Sequence, residues 1–152
     1  MSYNFRIIKI DRWLDLNEYE GQIRGIIDDK QLSCYLFASP ESWSVLSAGQ
    51  EINISLWIER AGDILVTKDR IIAFEPVSSN DDVAYKVAGQ IISVEGEGYI
   101  SLKTVLPLTV DMDIPYGQSD EFVFDVGCFI EFIGILKMKI ESIKIPLELE
   151  GY

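Results

Sequence analysis

Residues 49–59 read GQEINISLWIE, which puts Ile52, Ile54, Leu56 and Ile58 on one parity and Glu51, Asn53, Ser55, Trp57 and Glu59 on the other. A period of two is the pleat of a β-strand with one face buried. The isoleucine face is therefore expected to point into a core. Trp57 falls on the polar parity between Ser55 and Glu59, where a strand with a purely structural role carries something small or charged. It is read as an exposed partner anchor. The competing expectation is that a helix or loop folds over this face and buries Trp57 together with Trp43.

The same alternation recurs along most of the chain. It predicts strands over 5–13, 22–27, 32–37, 51–59, 64–67, 71–75, 85–94, 99–105, 121–126 and 128–141, separated by turn-forming stretches such as DDK after Ile27 and EGEG after Val94. Short strands at this density predict an all-β sandwich or partly open barrel. In the last strand, Ile130, Phe132, Gly134, Leu136, Met138 and Ile140 share one parity, and Lys137 and Lys139 lie on the other. That strand is expected to run from a covered middle to a wet edge, where lysines discourage further pairing.

One helix interrupts the strands. In SPESWSVLSAG, Ser39 is the N-cap, Pro40 takes the first helical position, Glu41 complements the positive helix end, and Gly49 supplies a left-handed C-terminal cap. Trp43 and Leu46 share a face three residues apart, and Trp43 is expected to plug the core. A weak internal echo accompanies this. Gly21-Gln22-Ile23 recurs as Gly89-Gln90-Ile91, and Gly49-x-x-Ile52-x-Ile54 recurs as Gly127-x-x-Ile130-x-Phe132. The organisation expected from it is a single domain, residues 1–152, with two similar β subhalves at about 1–78 and 83–145.

Between Glu20 and Thr67 the arrangement of a G-x-I strand, a second strand, a capped helix and an L-x-x-G-x-x-I strand resembles the rhythm of OB-type barrels, in which a helix covers the barrel end. In that family the helix usually follows the third strand, whereas this stretch shows two strands before it. The resemblance implies a barrel in the first half of the chain. Its stacking aromatics would be Tyr35, Phe37 and Trp57.

Charge constrains the partner. The 152 residues carry 25 Asp and Glu against 13 Lys and Arg, a net charge of −12. Such a field repels phosphate backbones and anionic membranes and steers basic partners inward. The surplus is uneven: from Val105 to Leu136 there is no Lys or Arg, while Asp111, Asp113, Asp120, Glu121, Asp125 and Glu131 fall there. Cys34 and Cys128 each lie in an apolar run, as small core hydrophobes without indication of a disulfide. No apolar run is long enough for a signal segment or a membrane span. A cytoplasmic, reducing compartment is expected.

No histidine occurs, which removes the commonest neutral-pH base and the commonest zinc ligand. No nucleotide-binding or nucleophile-elbow motif is present. Asp111 and Asp113, at i and i+2, place oxygens on one side of an extended segment, but without EF-hand order. The sequence thus predicts no enzyme, no cofactor and no metal site. The expected function is that of an acidic protein-binding domain, an inhibitor or immunity-type protein neutralising a basic partner such as a toxin. It is expected to bind neither nucleic acid nor membrane. The expected interface is Trp57, Glu59, Asp111, Asp113, Asp120 and Glu121. The alternative is an OB-like accessory or structural subunit of a larger assembly. The sequence leaves the oligomeric state open.

Overall fold

The computed structural model describes residues 2–79, 82–94, 98–111 and 125–143. Among these residues ten strands and one short helix follow in the order β1 (Ser2–Arg12), β2 (Glu20–Ile27), β3 (Lys30–Phe37), α1 (Pro40–Ser44), β4 (Glu51–Arg60), β5 (Leu65–Thr67), β6 (Ala73–Pro76), β7 (Ala84–Val94), β8 (Tyr99–Lys103), β9 (Pro107–Asp111) and β10 (Phe129–Ile143). The strands hydrogen-bond in the order β5-β10-β3-β2-β1-β4-β9-β8-β7-β6, and further β10–β4 and β10–β7 pairings partly close the sheet. The fold is all-β, as the period-two pattern predicts. Chain contacts divide it into two compact units, residues 1–56 with 138–152 and residues 57–137.

The first unit holds β1, β2, β3, α1, the start of β4 and the end of β10. β1, β2 and β3 form an antiparallel meander, β1 pairs antiparallel with β4, and β10 stands between β3 and β4. The result is a five-membered ring, the strand count of an OB-type barrel. Three strands precede the helix, because the stretch before Glu20 supplies β1. The two-strand count taken from Glu20 onward is thereby corrected to three. β1 serves two neighbours by bending. Its residues 2–6 pair with β4 and its residues 6–12 with β2, with a register shift between Ile7 and Lys9. The β2–β3 hairpin turns on Asp28 and Asp29, both at positive φ (48° and 67°), as a two-residue loop matched to strand twist requires. Phe5, Ile23, Cys34, Ile52 and Ile54 fill the interior and are fully buried. Gly25 faces this core, where a Cβ would overlap the Phe5 ring.

The second unit holds the antiparallel meander β7, β8, β9, together with the end of β4 and the start of β10. β9 pairs parallel with β4, β7 pairs antiparallel with β10, and the Ala61 N–H donates to the Ile133 carbonyl (2.9 Å) on the β10 side. β5 and β6 are added outside this ring, on β10 and β7 respectively. Val87, Ile91, Leu102, Val110 and Ile130 form the core. Gly134 admits the chain here, since a Cβ on it would lie 2.8 Å from the Glu59 carbonyl oxygen.

Both units set a three-strand meander against β4 and β10, but with opposite connectivity: β4 joins the first strand (β1, antiparallel) and β10 the third (β3) in one, whereas β10 joins the first (β7) and β4 the third (β9, parallel) in the other. Gly49 and Gly127 adopt positive φ (88° and 96°) two residues before β4 and β10. Ile52, Ile54, Ile130 and Phe132, the apolar positions of that echo, are all buried. Gly21 and Gly89, by contrast, lie on β2 and β7, the second strand of one meander and the first of the other. They are not equivalent positions.

Several expectations need correction. The helix ends at Ser44, with Val45 as its C-cap, and Gly49 instead turns the chain into β4, its N–H donating to the Ile7 carbonyl (2.7 Å). β9 was missed in the sequence because it offers only Leu108 and Val110 as alternating apolar residues behind a proline. The strand expected over 121–126 lies almost wholly outside the described residues. Residues 125–128 are not strand. β10 is not an edge, having neighbours on both sides. Cys34 is fully buried, but Cys128 is only half-buried, and both are free thiols.

Candidate partner-binding site

The β1–β2 connection builds an apolar surface on the first unit. After β1 the chain turns at Trp13, whose carbonyl accepts the N–H groups of Leu16 (2.8 Å) and Asn17 (3.1 Å), while the Trp13 N–H donates to the Glu20 carbonyl (3.0 Å). Asn17 locks the exit. Its Oδ1 accepts the N–H groups of Tyr19 (2.8 Å) and Glu20 (3.0 Å), and its Nδ2 donates to Glu20 Oε2 (2.5 Å). The tight turn leaves Leu14 and Leu16 no inward direction, and they stand 60% and 65% exposed.

Aromatic rings continue this surface. Tyr19 stacks on Phe37 (centroids 5.6 Å, 13° between planes), and Trp13 tilts against Tyr35 (5.7 Å, 48°). Tyr35 donates its hydroxyl proton to Glu20 Oε1. The backbone beneath Tyr19 is held twice, since its carbonyl accepts the Ala38 N–H (2.9 Å) and the Trp43 indole N–H (2.9 Å). Trp43 itself is buried, as expected of a core plug, with the Arg12 guanidinium 5.7 Å above its ring. Phe37 is nonetheless 64% exposed and Tyr19 45%. These side chains are fixed before any partner arrives, so little rotamer entropy remains to be lost on binding.

Carboxylates accompany these apolar side chains. Asp11, Asp15 and Glu18 are all exposed along the same connection. An open cleft of about 420 Å³ runs through it, lined by Asp11, Arg12, Trp13, Leu14, Asp15 and Leu16.

The interface residues expected from sequence divide differently. Trp57, Glu59 and Asp111 all belong to the second unit. Glu59 and Asp111 are register partners across the parallel β4–β9 pair, and Trp57 faces Thr109 two positions back. Trp57 is half-buried, between the two alternatives raised for it. Glu59 accepts from Lys137 Nζ at 2.7 Å in a partly exposed ion pair. Asp113, Asp120 and Glu121 lie outside the described residues. Six Lys and Arg against fourteen Asp and Glu leave the second unit at −8, while seven against eleven leave the first at −4. Sequence reading singled out Tyr35 and Phe37 but missed Trp13, Leu14, Leu16 and Tyr19. The signal available was WLDLN between two strands, an apolar run with neither a strand nor a helix period.

Among the described residues no group of three or more Cys, Asp or Glu side chains is arranged to hold a metal ion, and no helix is long and apolar enough to cross a membrane. Neither a protein-family model nor a curated protein matches the chain.

Proposed function

We propose that this chain is a non-enzymatic acidic protein-binding domain, of the inhibitor or immunity type, that neutralises a basic protein. The observation carrying this reading is the exposed Tyr19–Phe37 stack, together with the exposed Leu14 and Leu16 of the β1–β2 connection, which also carries the exposed carboxylates Asp11, Asp15 and Glu18. Exposed, rigid aromatics with a polar rim are the anatomy of a protein interface. The carboxylates have the sign that repels phosphate, which favours a basic polypeptide over a nucleic acid as the occupant of an OB-like face. In this reading the second unit, with Trp57, Glu59, Asp111, Asp113, Asp120 and Glu121, supplies the long-range field that raises the encounter rate.

The second reading is an OB-like accessory or structural subunit. It draws on Leu65, Val66, Ile71 and Ile72, four exposed apolar side chains on and after β5. Affinity capture with tagged protein, wild-type against a Leu16→Asp/Phe37→Asp variant, at low and high salt, tests the proposal. The neutraliser reading expects one basic partner, lost in the variant and weakened by salt. A salt-indifferent partner retained by the variant supports the subunit reading instead.

A further inference from the structure

From the patch just proposed as the partner site, on which this inference rests, we infer that the cleft in the β1–β2 connection takes an arginine side chain of the partner. Three features of the cleft converge on that chemistry. Asp11 and Asp15 are exposed, line the same cleft on either side of Trp13, and make no ion pair among the described residues. Trp13 lines the cleft, with its ring tilted against Tyr35. Leu14 and Leu16 supply apolar wall for an aliphatic stem. A planar guanidinium satisfies all three at once: it lies on an aromatic face, donates in more than one direction to carboxylates, and carries a three-carbon stem. An ammonium is a compact, more strongly hydrated charge and makes poorer use of the indole face.

Arg12, the one cation in the lining, does not compete for this role. Its guanidinium stands over Trp43 and donates to the Glu18 carbonyl (3.2 Å), and its Nε–H is shut away from solvent without an acceptor. Arg12 follows Asp11 at the end of β1, and although it contributes to the cleft wall its guanidinium ends over the Trp43 ring. The cleft is therefore left to the two carboxylates.

The test is an amide and indole NMR titration of the whole protein with N-acetyl-arginine amide, N-acetyl-lysine amide and N-acetyl-norleucine amide. Arginine amide should move the Trp13 indole signal and the 11–16 amides saturably, lysine amide should bind more weakly, and norleucine amide should leave these signals in place. The Asp11→Asn/Asp15→Asn variant should bind arginine amide about fivefold or more weaker, the loss of at least one well-placed surface ion pair. Shifts scattered over the acidic surface without saturation, an equal response to lysine amide, or undiminished binding by the double variant would each overturn the assignment. The two proposals fail separately. If Leu16→Asp/Phe37→Asp abolishes partner capture while arginine amide ignores the cleft, the patch stands and the arginine site falls. If arginine amide occupies the cleft while capture survives that variant, the patch falls as the partner site.

Discussion

Replacing Trp43 by alanine should remove most of the margin by which the first unit is folded. The side chain is 2% exposed and is carried by a five-residue helix too short to hold itself. Truncating a buried tryptophan costs about 3 to 5 kcal/mol in transfer and cavity terms. Losing the contact with the Arg12 guanidinium adds about 0.5 to 1 kcal/mol. The lost indole hydrogen bond adds less, because the Tyr19 carbonyl still accepts the Ala38 N–H at 2.9 Å and is not orphaned. A total of about 3.5 to 6 kcal/mol is comparable with the whole stability of a small domain. Trp57→Ala provides the internal control. That indole is half-buried on the outer face of β4, so roughly half of its 200 Å² or so is at stake, worth about 2 kcal/mol. Urea melts of both variants, followed by circular dichroism, give the comparison. A Trp57→Ala loss equal to or larger than that of Trp43→Ala would refute the placement of the two rings.

Thiol chemistry should separate the cysteines: Cys128 should react with a disulfide reagent in the native protein, whereas Cys34, whose burial pushes its thiol well up from the ordinary value, should react only after denaturation. Simultaneous labelling of both would contradict the core position of Cys34. At the turn before β7, the Ala84 N–H donates to Asp82 Oδ1 (2.9 Å) and, with the Ser78 hydroxyl (2.8 Å), holds that carboxyl below its ordinary value. A depressed folded pKa stabilises above the unfolded value of about 4 and ceases to do so as pH falls through the folded value. An NMR titration of the Asp82 carboxyl should therefore find a midpoint below that of an unfolded aspartate. A midpoint at or above it would contradict the hydrogen-bonded turn.

The parts of the fold set by local pattern were readable from sequence. The parity of Ile52, Ile54, Leu56 and Ile58 is strand parity, and all four are buried as the alternation requires. Ser39 caps the helix, accepting the Ser42 N–H, with Pro40 behind it. What sequence could not supply is closure. β4 and β10 each complete both rings, a fact carried by pairings many residues apart and by no local period. β9 escaped for a related reason: it is placed by pairing with β8 and with the distant β4, while its own string offers only two alternating apolar residues. The candidate site was half legible. Exposed carboxylates and the aromatics of β3 are visible in the string. That Leu14 and Leu16 point outward follows only from the hydrogen-bonded turn at Trp13 and Asn17, which period-based reading passes over.

In the proposed complex the aromatic patch makes the contact and the acidic second unit contributes to the rate of encounter. Binding kinetics of the captured partner against wild-type protein, Phe37→Ala and Asp111→Asn/Asp113→Asn test this most directly. Phe37→Ala, at a side chain 64% exposed and so nearly neutral for folding, should raise the dissociation rate by about 30-fold, the 2 kcal/mol of a hot-spot anchor. The acidic double variant should slow association and flatten its salt dependence while leaving dissociation unchanged. A Phe37→Ala complex that dissociates at the wild-type rate would contradict the account.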